Sequence, residues 1–363
     1  MTESYLKQQK LITHTWSPDG QYVAVSIKNT SNADIFKVGQ LEKVGTWQRV
    51  ATLKDASQKI NVLSWSVDNK ILIGSDDRSV FVYRNNNNIW SKDLVIITNE
   101  KAILSGEWSP NGQKCVLGTA CHKAFVLYYE EKNNWWHNEK IDGFYSSVTT
   151  CKFHPSGRVV GLGSTDQTFK LVSCVISGKL NFEDQSYNGV FKDIKSFGVI
   201  LVNIALNGWA NSLDFTQSGN KFAVAVHTGL IKQYSFNDDG TVIIDPDNES
   251  KNATYIREAK PFNKIIYIND QTLIGVGYDR KPVILSSEPS VKFTSFIEKC
   301  LAAEGEVQKS GSMAAAKQMF SGKGQKTEDD KFGHQTAITC INKVSDSLIS
   351  TSDVNGIINF WRI

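Results

Sequence analysis

The residues able to act as bases, nucleophiles or metal ligands are few in this chain and widely spaced. Six histidines, His14, His122, His137, His154, His227 and His334, stand singly. Six cysteines, Cys115, Cys121, Cys151, Cys174, Cys300 and Cys340, include no CxxC pair. Zinc needs thiolate and imidazole ligands at short, recurring spacings. Cys121-His122 with Cys115 nearby comes nearest to that, and its spacing fits no usual pattern. There is no HExxH helix, no glycine loop to cradle phosphate and no Ser-x-Asp-x-Gly-x-Thr-Trp box. His154-Pro155 stands where Ser17-Pro18 and Ser109-Pro110 stand in similar phrases, so it reads as turn chemistry. These residues predict structural thiols and turn or packing histidines, with no metal, no cofactor and no enzymatic activity.

Charge and targeting narrow the class further. Lys plus Arg number 40 against 37 Asp plus Glu, a net charge of +3. That is too small to argue for nucleic acid, and no basic cluster is interleaved with stacking aromatics. The amino end, MTESYLKQQK, lacks the apolar core of a signal peptide, and no apolar run reaches about 18 residues. Unpaired cysteines imply a reducing compartment. The expectation is a soluble, cytoplasmic protein with neither nucleic-acid nor membrane partners.

What must position these scattered residues is a repeat. LITHTWSPDGQYVAVSI returns as INVLSWSVDNKILIGSDDRSVFVY, ILSGEWSPNGQKCVLGTACHKAFVLYY and VTTCKFHPSGRVVGLGSTDQTFKLVS. Degraded copies follow as ANSLDFTQSGNKFAVAVHTGLIKQYS, NKIIYINDQTLIGVGYDRKPVILSS and ITCINKVSDSLISTSDVNGIINFWRI. Anchors Trp16, Trp65, Trp108 and Phe153 lie about 43 to 49 residues apart, with Phe215 and Tyr267 continuing the series. This period, with three strand-like runs and a turn per copy, marks a β-propeller blade. One unit cannot bury its own apolar face, so the copies stack around an axis. Seven copies predict seven blades.

The second copy is the cleanest to read. Ile60 to Trp65, Ile71 to Ile73, Val80 to Tyr83 and a run starting at Ile89-Trp90 predict its four strands. Gly74 to Arg78 is the tight turn, in which Gly relieves the backbone and Asp bonds local amides. Trp47, Trp90 and Trp135 open the outer strands of the first three copies and are expected to pack between blades. The last copy ends on its third strand, Ile357 to Ile363. The segment around Ser4-Tyr5-Leu6 is expected to supply the missing outer strand and close the ring.

These copies resemble WD repeats, most nearly in the last blade. There Gly333-His334 precedes Phe360-Trp361-Arg362, and Asp353 holds the turn position that bonds the histidine in that family. Asp77 and Asp166 hold similar turn positions in blades two and four. Most other Gly-His pairs are absent, so that network is expected to be incomplete. Within the WD family, the chain resembles the propeller subunits of the actin-related protein 2/3 complex. The likeness rests on YYEEKNNWWHNEKI at 128–141, SSVTTCKFHPSGRVVGLGSTDQTFKL at 146–171, Phe197-Gly198 before Gly208-Trp209-Ala210-Asn211, and GVGYDRKPVIL at 275–285. It runs in order from about residue 5 to 363. The resemblance implies a seven-bladed WD-repeat β-propeller over 1–363 serving as a non-catalytic scaffold in actin filament nucleation and branching, at the actin-rich cortex. Its implied partners are the other subunits of that complex including two actin-related proteins, the actin filament, and acidic activator tails. The competing reading is a generic WD-repeat adaptor of another assembly, such as a vesicle coat or chromatin machinery.

An insert interrupts the repeat before the last blade, over about 299–332. Just ahead of it, Phe293, Phe296, Ile297 and Leu301 have helical spacing. The blade still needs its fourth strand there, which favours a strand. Within the insert Ser312 can cap a short helix over 313–320 and Gly322 can end it. Met313, Ala316 and Phe320 make one apolar edge, and Lys309, Lys317, Lys323 and Lys326 surround it. Two readings stand. Either Met and Phe fold back on the propeller rim, or the edge docks in a partner's groove while lysines meet acidic surface. On the second reading the contact set is Met313, Ala316, Lys317, Met319, Phe320 and Lys323. The resemblance places a projecting helix here with a Phe at the position of Phe320, and implies actin as its partner. The chain departs from the family after that Phe, where Ser321-Gly322-Lys323 replaces a further helical stretch.

Overall fold

Short apolar runs between turns fold here as seven antiparallel sheets, each formed from strands consecutive in sequence. The computed structural model describes residues 11–28, 30–41, 43–86, 89–176, 188–243, 252–288, 290–298 and 333–363. Six blades have four strands and the last has three among the described residues, Ile338–Ser345, Leu348–Asp353 and Ile358–Arg362. The first strands are Leu11–Trp16, Ile60–Trp65, Ile103–Trp108, Val148–Phe153, Ala210–Phe215, Phe262–Asn269 and Ile338–Ser345. Each touches the first strands on either side, and the seventh touches the first, so they line a common axis. The fold is the expected seven-bladed propeller. Lys292–Phe296 is the fourth strand of blade six, as the architecture required.

Position within the blade dictates sequence character. Second strands, covered by blades on both faces, are largely buried, as Val159–Ser164 is throughout. Most are apolar runs, while that of blade seven, Leu348–Asp353, buries Ser350, Thr351, Ser352 and Asp353. Outer strands such as Ile89–Leu94 are largely exposed and polar. The core therefore lies between blades. Ala24, Ile35 and Leu53 of blade one meet Ile60, Ile71 and Tyr83 of blade two in one cluster. Val116 and Val126 of blade three meet Phe153, Leu162 and Val172 of blade four in another.

Gly74 does not serve the turn as expected. The positive φ falls at Arg78 (73°), while Gly74 lies inside its strand. Its role is close approach, because a Cβ there would sit 2.6 Å from Cγ2 of Ile103 in the next blade. Gly163 does the same two junctions on, 2.5 Å from Cβ of Ala210. A missing side chain lets the next blade's first strand close against the sheet.

The junction between blades seven and one is densely bonded. Thr339 Oγ1 donates to the Ile12 carbonyl at 3.1 Å, and Asn342 Nδ2 to that of His14 at 2.7 Å. The His14 ring bonds Ser352 at 2.9 Å and Ser350 at 2.8 Å, and Trp16 Nε1 donates to Ser350 at 2.8 Å. Phe360 packs edge-on against Trp16 and Trp47. The expected closing strand around Ser4-Tyr5-Leu6 lies outside the described residues.

Candidate interaction surface

The insert's two stems are fixed to one turn of blade six. Ile297, buried after the outer strand, donates its backbone N–H to the Pro282 carbonyl at 2.9 Å. On the returning stem the backbone N–H of His334 donates to the Arg280 carbonyl at 3.2 Å. The chain thus leaves and re-enters the ring at a single point. Residues 299–332, and with them Met313, Ala316, Lys317, Met319, Phe320 and Lys323, lie outside the described residues. So does the expected helix 313–320.

Beneath the return stem lies a buried polar cluster. His334 Nε2 bonds Thr351 Oγ1 at 2.6 Å, and Trp361 Nε1 donates to the same hydroxyl at 2.7 Å. His334 Nδ1 is 3.3 Å from Asp353 Oδ2, an ion-pair distance lacking hydrogen-bond alignment. Burial would raise the pKa of Asp353, but His334 and the nearby backbone amides outweigh it and hold the carboxyl below its usual range. The expected histidine–aspartate contact is present in blade seven. Asp353, however, pairs opposite Ile338 as Ser75 pairs opposite Ile60, two residues before the position that Asp77 occupies.

Other blades meet the same need without a histidine–aspartate pair. Asp77 accepts the backbone N–H of Ser57 at 2.5 Å, Asp166 that of Tyr145 at 2.9 Å, and Asp279 that of Lys260 at 2.6 Å. In blade five the acceptor is His227 Nδ1, 3.0 Å from the backbone N of Trp209. Each ties its turn to the loop entering the blade. Burial acts to raise Asp77, and the hydroxyls of Ser75, Ser79 and Ser57 prevail and hold it well below the usual carboxylate range.

The outer-strand tryptophans behave as expected, with one correction. Trp47 meets Trp16 edge-on, Trp90 meets Trp65 and Trp136 meets Trp108, each within its own blade. Trp47 also packs on Phe360 of blade seven, and Trp90 on the cluster shared with blade one. In blade three it is Trp136 that is buried, donating to Asp93 of blade two at 3.0 Å, while Trp135 is 48% exposed. Adjacent strand residues face opposite ways, and only Trp136 faces blade two. Exposed apolar side chains recur along the outer strands, including Val50, Ile89, Leu94, Val199 and Ile200.

Cys115 and Cys121 do not converge. Cys115 is buried between blades, its thiol pKa pushed up by burial, and Cys121 bonds Thr119 and Asn99. His122 sits at a turn with φ 65°. Among the described residues no group of three or more His, Cys, Asp or Glu is placed to hold a metal, and no helix is long and apolar enough to cross a membrane. Five cysteines, Cys115, Cys121, Cys151, Cys174 and Cys340, are free thiols. His154 is a turn residue, its ring bonded to Ser156 at 2.8 Å and to the Gly219 carbonyl at 2.9 Å.

A polar layer between blades escaped the sequence reading. Glu107 accepts the backbone N–H of Phe153 at 3.1 Å, and Asp214 that of Tyr267 at 2.7 Å, each across a junction. Lys152 lies between them, 2.5 Å from Glu107 and 3.6 Å from Asp214. Burial would lower the pKa of Lys152, but the two carboxylates outweigh it and hold the ammonium above its ordinary value. The signal was available, because Glu107, Lys152 and Asp214 all stand one residue before their anchor aromatic.

Comparison with known proteins agrees with this geometry. The family model described as WD domain, G-beta repeat matches residues 47–84, from Trp47 through the third strand of blade two. Actin-related protein 2/3 complex subunit 1A of Arabidopsis thaliana is 28% identical over 98% of this chain and 94% of its own length. Subunit 1A-B of Xenopus laevis is 23% identical over 97% and 94%. The chain is homologous to subunit 1 across nearly its whole length. Subunit 1 of Saccharomyces cerevisiae is 24% identical over 78% of this chain and 70% of its own length.

Proposed function

We propose that this chain is a non-catalytic scaffold subunit of an actin-related protein 2/3 complex, acting in the cytoplasm to support actin filament nucleation and branching. The likeness to proteins named as subunit 1 of that complex, over 98% of the chain, carries this reading. The apolar side chains exposed along the outer strands support it, since such surface marks partner contact. The ring provides rigid blades for the other subunits. On this reading the insert contacts the actin filament through Met313, Ala316, Lys317, Met319, Phe320 and Lys323. Acidic activator tails are a further partner on this reading.

Affinity purification of the tagged full chain from its own cells, followed by mass spectrometry, tests the assignment. Co-recovery of two actin-related proteins with other subunits of the complex is the expected result. Recovery of coat or histone proteins without them would replace it with the adaptor reading.

A further inference from the structure

The axis opens into a cavity of about 380 Å³ at the end where the first strands begin. Three lysines from separate blades reach it. Lys28 follows the second strand of blade one, Lys59 precedes blade two, and Lys264 projects from the first strand of blade six. Among the described residues none of the three is in an ion pair. A groove of about 480 Å³ adjoins the cavity between blades one and two and shares Lys28 and Lys59.

Hydroxyl and amide groups fill the rest of the polar lining. Thr13, Ser105, Thr150 and Thr339 contribute hydroxyls and Asn61 an amide, while Thr30, Ser31 and Ser57 line the groove. Among the described residues no carboxylate lines either space. Acids bonded to or near the lining are engaged elsewhere, Asp77 accepting from groove-lining Ser57 at 2.5 Å. Asp76 accepts from Asn61 at 2.6 Å, and Glu107 and Asp214 flank Lys152 further along the axis. The net charge of the whole chain is only +3, so three unpaired ammonium groups at one opening are a local concentration. A cleft lined by one sign of charge within low-dielectric walls focuses its field.

We infer that this axial cavity binds a small, multiply phosphorylated polyol. Ammonium groups on flexible stems suit phosphate as point charges, whereas a planar carboxylate favours an arginine fork, and among the described residues no arginine lines the cavity. The hydroxyls and amide offer both donors and acceptors to a polyol ring. The volume lies at the lower end of the range for small-molecule sites, roughly 300–1,000 Å³. The inference does not depend on which assembly holds the ring.

Calorimetric titration of the full chain, co-purified with its partners, with inositol hexakisphosphate tests the inference against sulfate at matched ionic strength. Saturable binding is expected. It should weaken by about tenfold or more when Lys59→Gln and Lys264→Gln are combined, as loss of two charge-assisted contacts requires. Lys132→Gln, on an exposed turn far from the axis, should leave affinity nearly unchanged. All variants should melt with the parent, since none of these side chains is buried. Co-sedimentation with vesicles carrying phosphatidylinositol bisphosphate, compared with phosphatidylserine vesicles, separates a lipid headgroup from a free polyol phosphate as the source. Binding no stronger than that of sulfate, or equal weakening by Lys132→Gln, would overturn the inference. So would tighter binding of a glutamate-rich peptide at the same lysines, which would make the site one for acidic protein segments.

Discussion

The side-chain amide of Asn263 donates to the backbone carbonyl of Ile338, 3.0 Å away and one blade further round the ring. The same step recurs at Asn61 to Ile103, Thr149 to Ala210 and Asn211 to Phe262. A polar residue in second place on the axial strand thus bonds four of the blades to the next, and Thr339 does the same from blade seven to blade one. Apolar burial holds blades together without direction, and these bonds fix how far one slides against another.

Replacing Asn263 with Leu keeps the bulk and removes the bond. It should destabilise the ring by about 1–3 kcal/mol, the penalty for a buried acceptor stripped of its partner. Thermal melting of the full chain should show a lower midpoint. An unchanged midpoint would mean that solvent replaces the amide and that the junction is held by packing alone.

His154 gives the ring an acid-sensitive point. It is fully buried, edge-on to Phe191 and Phe215, and burial holds its pKa down to about 4 despite the Gly219 carbonyl. Unfolded, the ring takes a proton near its ordinary value of 6.5. Between these values the unfolded chain binds more protons than the folded one, so stability falls as pH falls. The loss reaches about 3 kcal/mol near pH 4 and is absent above pH 7. Denaturant melts across pH 4–8 should show this slope, and His154→Gln should flatten it while lowering stability at neutral pH. An identical slope in the variant would assign the effect to another group.

Blade seven sets a test of ring closure. Its third strand, Ile358–Arg362, has no outer neighbour among the described residues, although His14, Thr339 and Asn342 already bond it to blade one. If residues 1–8 add the missing strand, deleting them removes several backbone hydrogen bonds worth about 1 kcal/mol each. The midpoint should then fall while the ring still folds. No change in the melt would show that side-chain contacts close it unaided.

Much of this ring was legible in the chain because each blade repeats the same physical problem. The anchors Trp16, Trp65 and Trp108, the count of blades and the outer strand at Lys292–Phe296 followed from period and architecture. The details that failed depend on which way a residue faces its neighbour. Trp135 and Trp136 are identical in type, and only packing against blade two chooses between them. Gly74 sits beside a turn in sequence, but the nearness of Ile103 in the next blade explains it better. The axial lysines, Lys28, Lys59 and Lys264, are dispersed over some 240 positions and meet only when the ring closes.

The last prediction concerns Phe320 and the insert. Both stems meet the ring at one turn, where the backbone N–H groups of Ile297 and His334 bond the Pro282 and Arg280 carbonyls. If Phe320 docks in a groove of the filament, burying its ring is worth roughly 1.5–3 kcal/mol, about a tenfold to hundredfold change in affinity. Phe320→Ala should therefore leave the melting temperature and incorporation into the complex unaltered, while weakening filament binding and lowering branch density. Charge reversal at Lys317 and Lys323 should act in the same direction more weakly, with an effect that fades as salt rises. Branch density under microscopy and the melt of the purified complex decide the matter together. A lowered melting temperature with branching intact would instead place the ring of Phe320 on the propeller rim.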